Sequence, residues 1–195
     1  MANTTFNGPV RSEGGFEQIT KAASTGAITT NLDVDSSGNL TTTGNITGNK
    51  KVIDATGATK VLTQADSGSL VLANRAAGTV ITLPTAAVGI NFRIQIAVTY
   101  TGTLSIDGAS ANAGYHEASN LLMSDKDSPA TEVIAAFHAD GSDDDKIVMD
   151  GDDNGRFVGG YIDITCIAAT GGSFTKSWLA TGIVYADGTQ ANPFS

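Results

Sequence analysis

Apolar residues recur along this chain at intervals of two rather than at helical spacing, and they thicken after residue 60. In Ala27–Asp35, Ile28, Leu32 and Val34 share one parity, the pattern of a strand with one covered face. Phe16–Thr20 is a second short period-two segment. Asp35-Ser-Ser-Gly-Asn39 carries turn chemistry, because Asp and Ser bond the local backbone and Gly38 accepts a positive φ. Gly38-Asn-Leu-Thr41 and Gly44-Asn-Ile-Thr47 then offer one aliphatic residue each. Two such units are too few for a solenoid, and so little apolar surface cannot offset the entropy of ordering the segment alone. Residues 1–60 are therefore expected to form an extended arm with short strands that orders against a partner.

Beyond it, Val61–Thr63, Ser69–Ala73 and Thr79–Leu83 read as short strands, the last closed by Pro84, which cannot donate to a ladder. In Ile90–Thr99, Phe92, Ile94, Ile96 and Val98 alternate with Arg93, Gln95 and Ala97. Thr103–Ile106 follows at hairpin distance across Tyr100-Thr-Gly102. Residues 108–130 are irregular, with Leu121-Leu-Met123 as a short helix or plug. Glu132–His138, Lys146–Met149, Arg156–Ala168 and Ser173–Ala180 complete a meander. Frequent turn signals without a long helical period predict an all-β fold: an antiparallel β-sandwich or jelly roll over residues 61–195, preceded by the arm.

Charge separates the same two parts. Residues 1–60 carry five Lys/Arg and five Asp/Glu, so the whole net charge of −9 lies on residues 61–195. Without clustered cations to neutralise phosphates, nucleic acid is not an expected partner. No stretch reaches the roughly 18–20 apolar residues of a membrane helix, and the opening lacks the apolar core of a secretory signal. Neither membrane nor ordinary secretion is expected. A single cysteine excludes an intrachain disulfide framework.

Few residues carry candidate chemistry. Asp150, Asp152 and Asn154, followed by Gly155, match the first half of a calcium loop. The closing position is Tyr161 instead of Glu, and Asp33-x-Asp35-x-Ser37-Gly38 has the same beginning and the same missing end. Both read as solvated turns, and no metal or other cofactor is expected. The run Asp140, Asp143, Asp144, Asp145, Asp150, Asp152 and Asp153 has only Lys146 beside it and no aromatic residue between Phe137 and Phe157. It is expected to be an acidic rim, not the paired acids of a glycosidase. Cys166, His116 and His138 could supply a nucleophile and base, but Cys166 has apolar parity within a strand. Trp178 with Phe174 could stack a sugar, although a lone Trp in a sheet more often belongs to the core. No catalytic residue is assigned.

The opening Met-Ala-Asn-Thr-Thr-Phe-Asn-Gly-Pro-Val-Arg-Ser-Glu-Gly-Gly-Phe16 resembles structural proteins of tailed bacteriophages, especially marine and cyanobacterial ones. The Gly-Asn-rich segment 35–48 is similar to polar segments of phage fibres. The stretches Val61–Gly68, Thr79–Pro84 and Val88–Ile94 resemble a module recurrent in phage structural proteins. The resemblance covers about the first hundred residues. It implies a head decoration (cement) protein on the virion capsid surface, made in the host cytoplasm. Its implied partners are the major capsid protein and neighbouring copies of itself, as a homotrimer on the shell. Phe6, Pro9, Val10, Phe16 and Ile19 are the expected contact residues of the arm. The alternative is a tail-fibre or baseplate component whose C-terminal domain binds a host glycan.

Overall fold

A computed structural model describes residues 15–36, 40–42, 49–108, 113–126, 134–150, 152–169 and 176–195, apart from the side chains of Phe16, Gln18 and Asp152. The chain is all-β and divides into two compact units, Met1–Asn49 and Lys50–Ser195. The division falls before residue 60 because residues 52–61 supply two strands to the second unit.

The first unit holds β1 (Phe16–Lys21), β2 (Ile28–Val34) and β3 (Leu40–Thr42), an antiparallel sheet in the order β1-β2-β3. A bulge between Gln18 and Ile19 shifts the β1–β2 register. None of its described residues is buried.

The second unit begins with β4 (Val52–Ala55), β5 (Thr59–Val61), β6 (Leu70–Ala73), β7 (Thr79–Thr82), β8 (Asn91–Ile96) and β9 (Leu104–Asp107). These strands alternate between two sheets. β4, β6 and β8 pair in parallel in one, while β5, β7 and β9 pair in parallel in the other. The chain thus winds through three coils of a roll. β10 (Asn120–Asp125), β11 (Ile134–His138), β12 (Lys146–Met149), β13 (Tyr161–Cys166) and β14 (Trp178–Ala186) complete the sheets. The orders are β11-β10-β14-β13-β8-β6-β4 and β12-β9-β7-β5.

Alternating side chains explain why the strands close on one core. Val71, Ala73, Phe92, Ile94, Ile96, Ile162 and Ile164 point inward from the seven-stranded sheet. Ile81, Leu104, Ile106, Ile147 and Met149 do so from the four-stranded sheet, and all belong to one buried cluster. The alternation read in Phe92, Ile94 and Ile96 is present, but its expected hairpin partner is not. β9 pairs with β7 and β12 in the opposite sheet, while the intervening Tyr100 is fully buried. Leu121-Leu-Met123 is neither helix nor plug: it lies in β10, beside β14 and β11. Among the described residues of this unit, five of nine strand pairings are parallel, so the sandwich-like sheets are mixed rather than wholly antiparallel.

The coils are tied together at their turns. Thr79 Oγ1 donates to Gly57 O at 2.7 Å, and Thr101 N to Ala76 O at 2.7 Å. Asp66 accepts from Thr63 N at 2.9 Å, Thr63 Oγ1 at 2.8 Å and Lys51 Nζ at 2.5 Å. The Lys51 ammonium, then the Thr63 donors, hold the Asp66 carboxyl at about 2. Gly78 has φ +91, and a Cβ there would lie 2.2 Å from Thr103 O. Two backbones meet at that point, leaving no side chain able to move aside.

Gly78→Ala is expected to lower stability by about 2–4 kcal/mol, combining left-handed strain with that clash. Gly68→Ala, at φ +80 but with nothing within 4 Å of the added carbon, is expected to cost only about 1 kcal/mol. Thermal or urea unfolding of the two variants measures the difference.

Candidate functional site

One face of the first unit mixes exposed aliphatic residues with polar ones, Lys21 lying opposite Ile28 and Thr42 opposite Leu32. Ile28, Thr30, Leu32 and Val34 alternate along β2 with Thr29, Asn31 and Asp33. Register sets Leu40 of β3 opposite Val34. In β1, the bulge sets Phe16 opposite Val34 and Ile19 opposite Thr30. Two expected anchors of unlike sequence parity therefore meet β2 positions of like parity. Ile19, Ile28 and Leu40 are 44%, 61% and 52% exposed. Phe6, Pro9 and Val10 lie outside the described residues. Ile28 and Leu40 were not among the expected contacts; the parity of Ile28 with Leu32 and Val34 was the available signal.

The acidic segment flanks β12 at one edge of the four-stranded sheet. Asp140 accepts from Ser142 N at 2.7 Å and Ser142 Oγ at 2.8 Å, and these bonds hold its carboxyl down at about 2. Asp144 is only 7% exposed. It accepts from Asp140 N at 2.5 Å, but burial, with the Asp140 and Asp143 charges beside it, raises its pKa. One oxygen each from Asp140, Asp143 and Asp144 lies within 4.8 Å of the others. Three such oxygens fall short of the six to eight that calcium takes. The expected all-solvent rim is thus modified: Asp144 turns inward to hold the loop.

Among the described residues, Asp150 does not join that cluster. Residues Asp152–Asn154 form a 3-10 turn, Asp150 is exposed and Asn154 half-buried; the Asp152 side chain lies outside the described residues. Asp33 and Asp35 are half-buried at the end of β2, and Ser37 and Gly38 lie outside the described residues.

The nucleophile–base combination does not form. Cys166 is buried in β13 with its thiol pushed up by burial, while His138 is exposed on β11, beyond β14 and β10 in the same sheet. His116 Nδ1 accepts from Ala118 N at 3.1 Å. Trp178 is fully buried and cannot stack a sugar; Phe174 lies outside the described residues. On the outer face of the seven-stranded sheet, Arg93 makes two hydrogen bonds to Asp163, at 2.7 and 2.5 Å, and lies 4.5 Å from the Tyr161 ring centroid. Their sequence separation hid this group. A groove of about 390 Å³ beside β5 is lined by Val61, Leu62, Thr63, Gln64, Leu83, Pro84 and Thr85, and contains no titratable side chain.

Asp144→Asn is expected to raise the melting temperature at pH 7 by about 2 °C, since a neutral amide keeps the acceptor without the buried charge. A raised folded pKa means that the native state binds the proton more tightly than the unfolded chain. Wild type therefore loses stability as pH rises above 3.8 through the folded value, and the advantage of the variant grows over that window. Melting curves from acid to neutral pH measure it.

No protein-family model, curated protein or solved structure matches the chain.

Proposed function

We propose that this chain is a non-enzymatic structural component of a tailed-phage virion that decorates and stabilises the capsid. In this reading the first unit contacts the shell or a neighbouring copy, and the second unit is the outward body. The supporting observation is the exposure of the aliphatic side chains Ile19, Ile28 and Leu40 on β1–β3. A three-stranded sheet with no buried residue among those described has little to offset its ordering entropy alone. Laid on another protein, the same face would bury what remains exposed of Ile19, Ile28 and Leu40, each worth about 1 kcal/mol because about half of each is already covered. Repetition around a symmetric shell then multiplies modest single-site affinity. The second unit, with its own core and acidic loops, suits the solvent side.

Immunogold labelling of virions is expected to mark the head. Label on the tail would instead support the fibre or baseplate reading and reject decoration. Ile19→Asp with Ile28→Asp is expected to lower capsid occupancy about tenfold or more, with the melting of residues 50–195 unchanged. Full occupancy with both substitutions would reject this face as the grip.

A further inference from the structure

We propose that copies of this chain join head to tail through the open edges of the seven-stranded sheet, β4 of one pairing antiparallel with β11 of the next. Such a contact lies within the second unit; it rests on the capsid reading for its setting and deepens it by naming how neighbouring copies meet.

β4 and β11 are the terminal strands of that sheet, and neither outer edge pairs with a strand among the described residues. Their backbone geometry is suited to pairing. Lys51 O and Ala55 O accept from Leu70 N and Asn74 N, so the intervening Val52 and Asp54 direct their N–H and C=O groups outward. Ala139 N donates to Ser119 O, and by the same alternation Ile134, Ala136 and His138 face away from β10.

The fold guards a comparable edge elsewhere. Pro193–Ser195 covers β12: Val148 N donates to Pro193 O at 2.7 Å, and Lys146 and Ser195 exchange bonds of 2.8 and 3.0 Å. β11 has no such cover among the described residues, and Ile134-Ala-Ala-Phe-His contains neither a Lys or acidic guard nor a proline. Its Ile134 is 68% exposed. Chains that remain monomeric usually blunt such edges with charge or proline.

Charge chooses between the occupants. Lys50 precedes β4, next to Lys51 whose ammonium is already paired with Asp66, whereas Asp140, Asp143 and Asp145 follow β11. Antiparallel β4–β11 pairing sets the lysine end of one copy beside the acidic end of the next. Pairing β11 with itself brings no such lysine to the acids. The β4–β11 contact is heterologous, so repetition gives a closed ring or an open chain.

Sedimentation velocity of the full chain across protein and salt concentrations tests this. Self-association that weakens as salt screens the charged ends is expected; a monomer throughout would overturn the proposal. Ala136→Pro removes an outward N–H, which an edge strand tolerates, and is expected to weaken association about tenfold or more. Lys50→Glu is expected to weaken it by about tenfold at low salt. Mixing these two variants should restore a one-to-one dimer, because one retains β4 and the other retains β11. Failure to form that dimer with both variants folded would overturn head-to-tail pairing. If Ala136→Pro does not fold, Asp143→Lys replaces it: alone it should weaken association, and combined with Lys50→Glu in one chain it should restore it. Lack of rescue would overturn the proposal. Because sedimentation uses the protein alone, a negative result there leaves immunogold labelling as an independent test of the virion reading.

Discussion

Everything in the second unit depends on one shared apolar core that no single strand can close. Each strand offers alternate side chains to that core and needs an opposing sheet to cover them. The chain meets this demand by crossing from one sheet to the other after nearly every early strand, so β4, β6 and β8 lie side by side in one sheet while β5, β7 and β9 do the same opposite. Parallel pairing follows from this winding, since successive strands in one sheet are separated by a visit to the other. The close turns follow as well: Gly78 and Gly102 sit where neighbouring coils meet backbone to backbone.

Winding of this kind leaves ends, and the ends differ. At β12 the segment Pro193–Ser195 supplies the missing ladder, while Phe194 packs against Tyr115 with ring centroids 5.8 Å apart. At β4 and β11 the ladder stops among the described residues. The first unit has a different deficiency: three strands, exposed aliphatics at Ile19, Ile28 and Leu40, and no buried described residue. Neither feature resembles the convergence of acid, base and nucleophile in an enzyme site. Both concern surfaces that another protein could complete.

The period-two pattern of Phe92, Ile94 and Ile96, and the shared parity of Ile162, Ile164 and Cys166, were legible because alternation is local. Pairing partners were not. Tyr100-Thr-Gly102 has the composition of a hairpin turn, yet Tyr100 is drawn into the core as the chain changes sheets. Leu121-Leu-Met123 lacks a long alternating context, and its strand identity depends on β14 and β11 beside it. The short β4 and β5 were absorbed into the expected arm because their partners lie farther along the chain. At the candidate grip, Ile19 was identifiable as an aliphatic residue, but a bulge decided which β2 residue it faces.

By itself, the sequence determined the β class, the contrast between a polar opening and an acidic body, and the core parity of its clearest strands. Those properties follow from side-chain chemistry and local backbone period. Tertiary structure decided the parallel winding, the sheet orders and the inward turn of Asp144, because each depends on groups brought together from distant positions. It also moved the unit boundary ahead of β4, where long-range pairing begins.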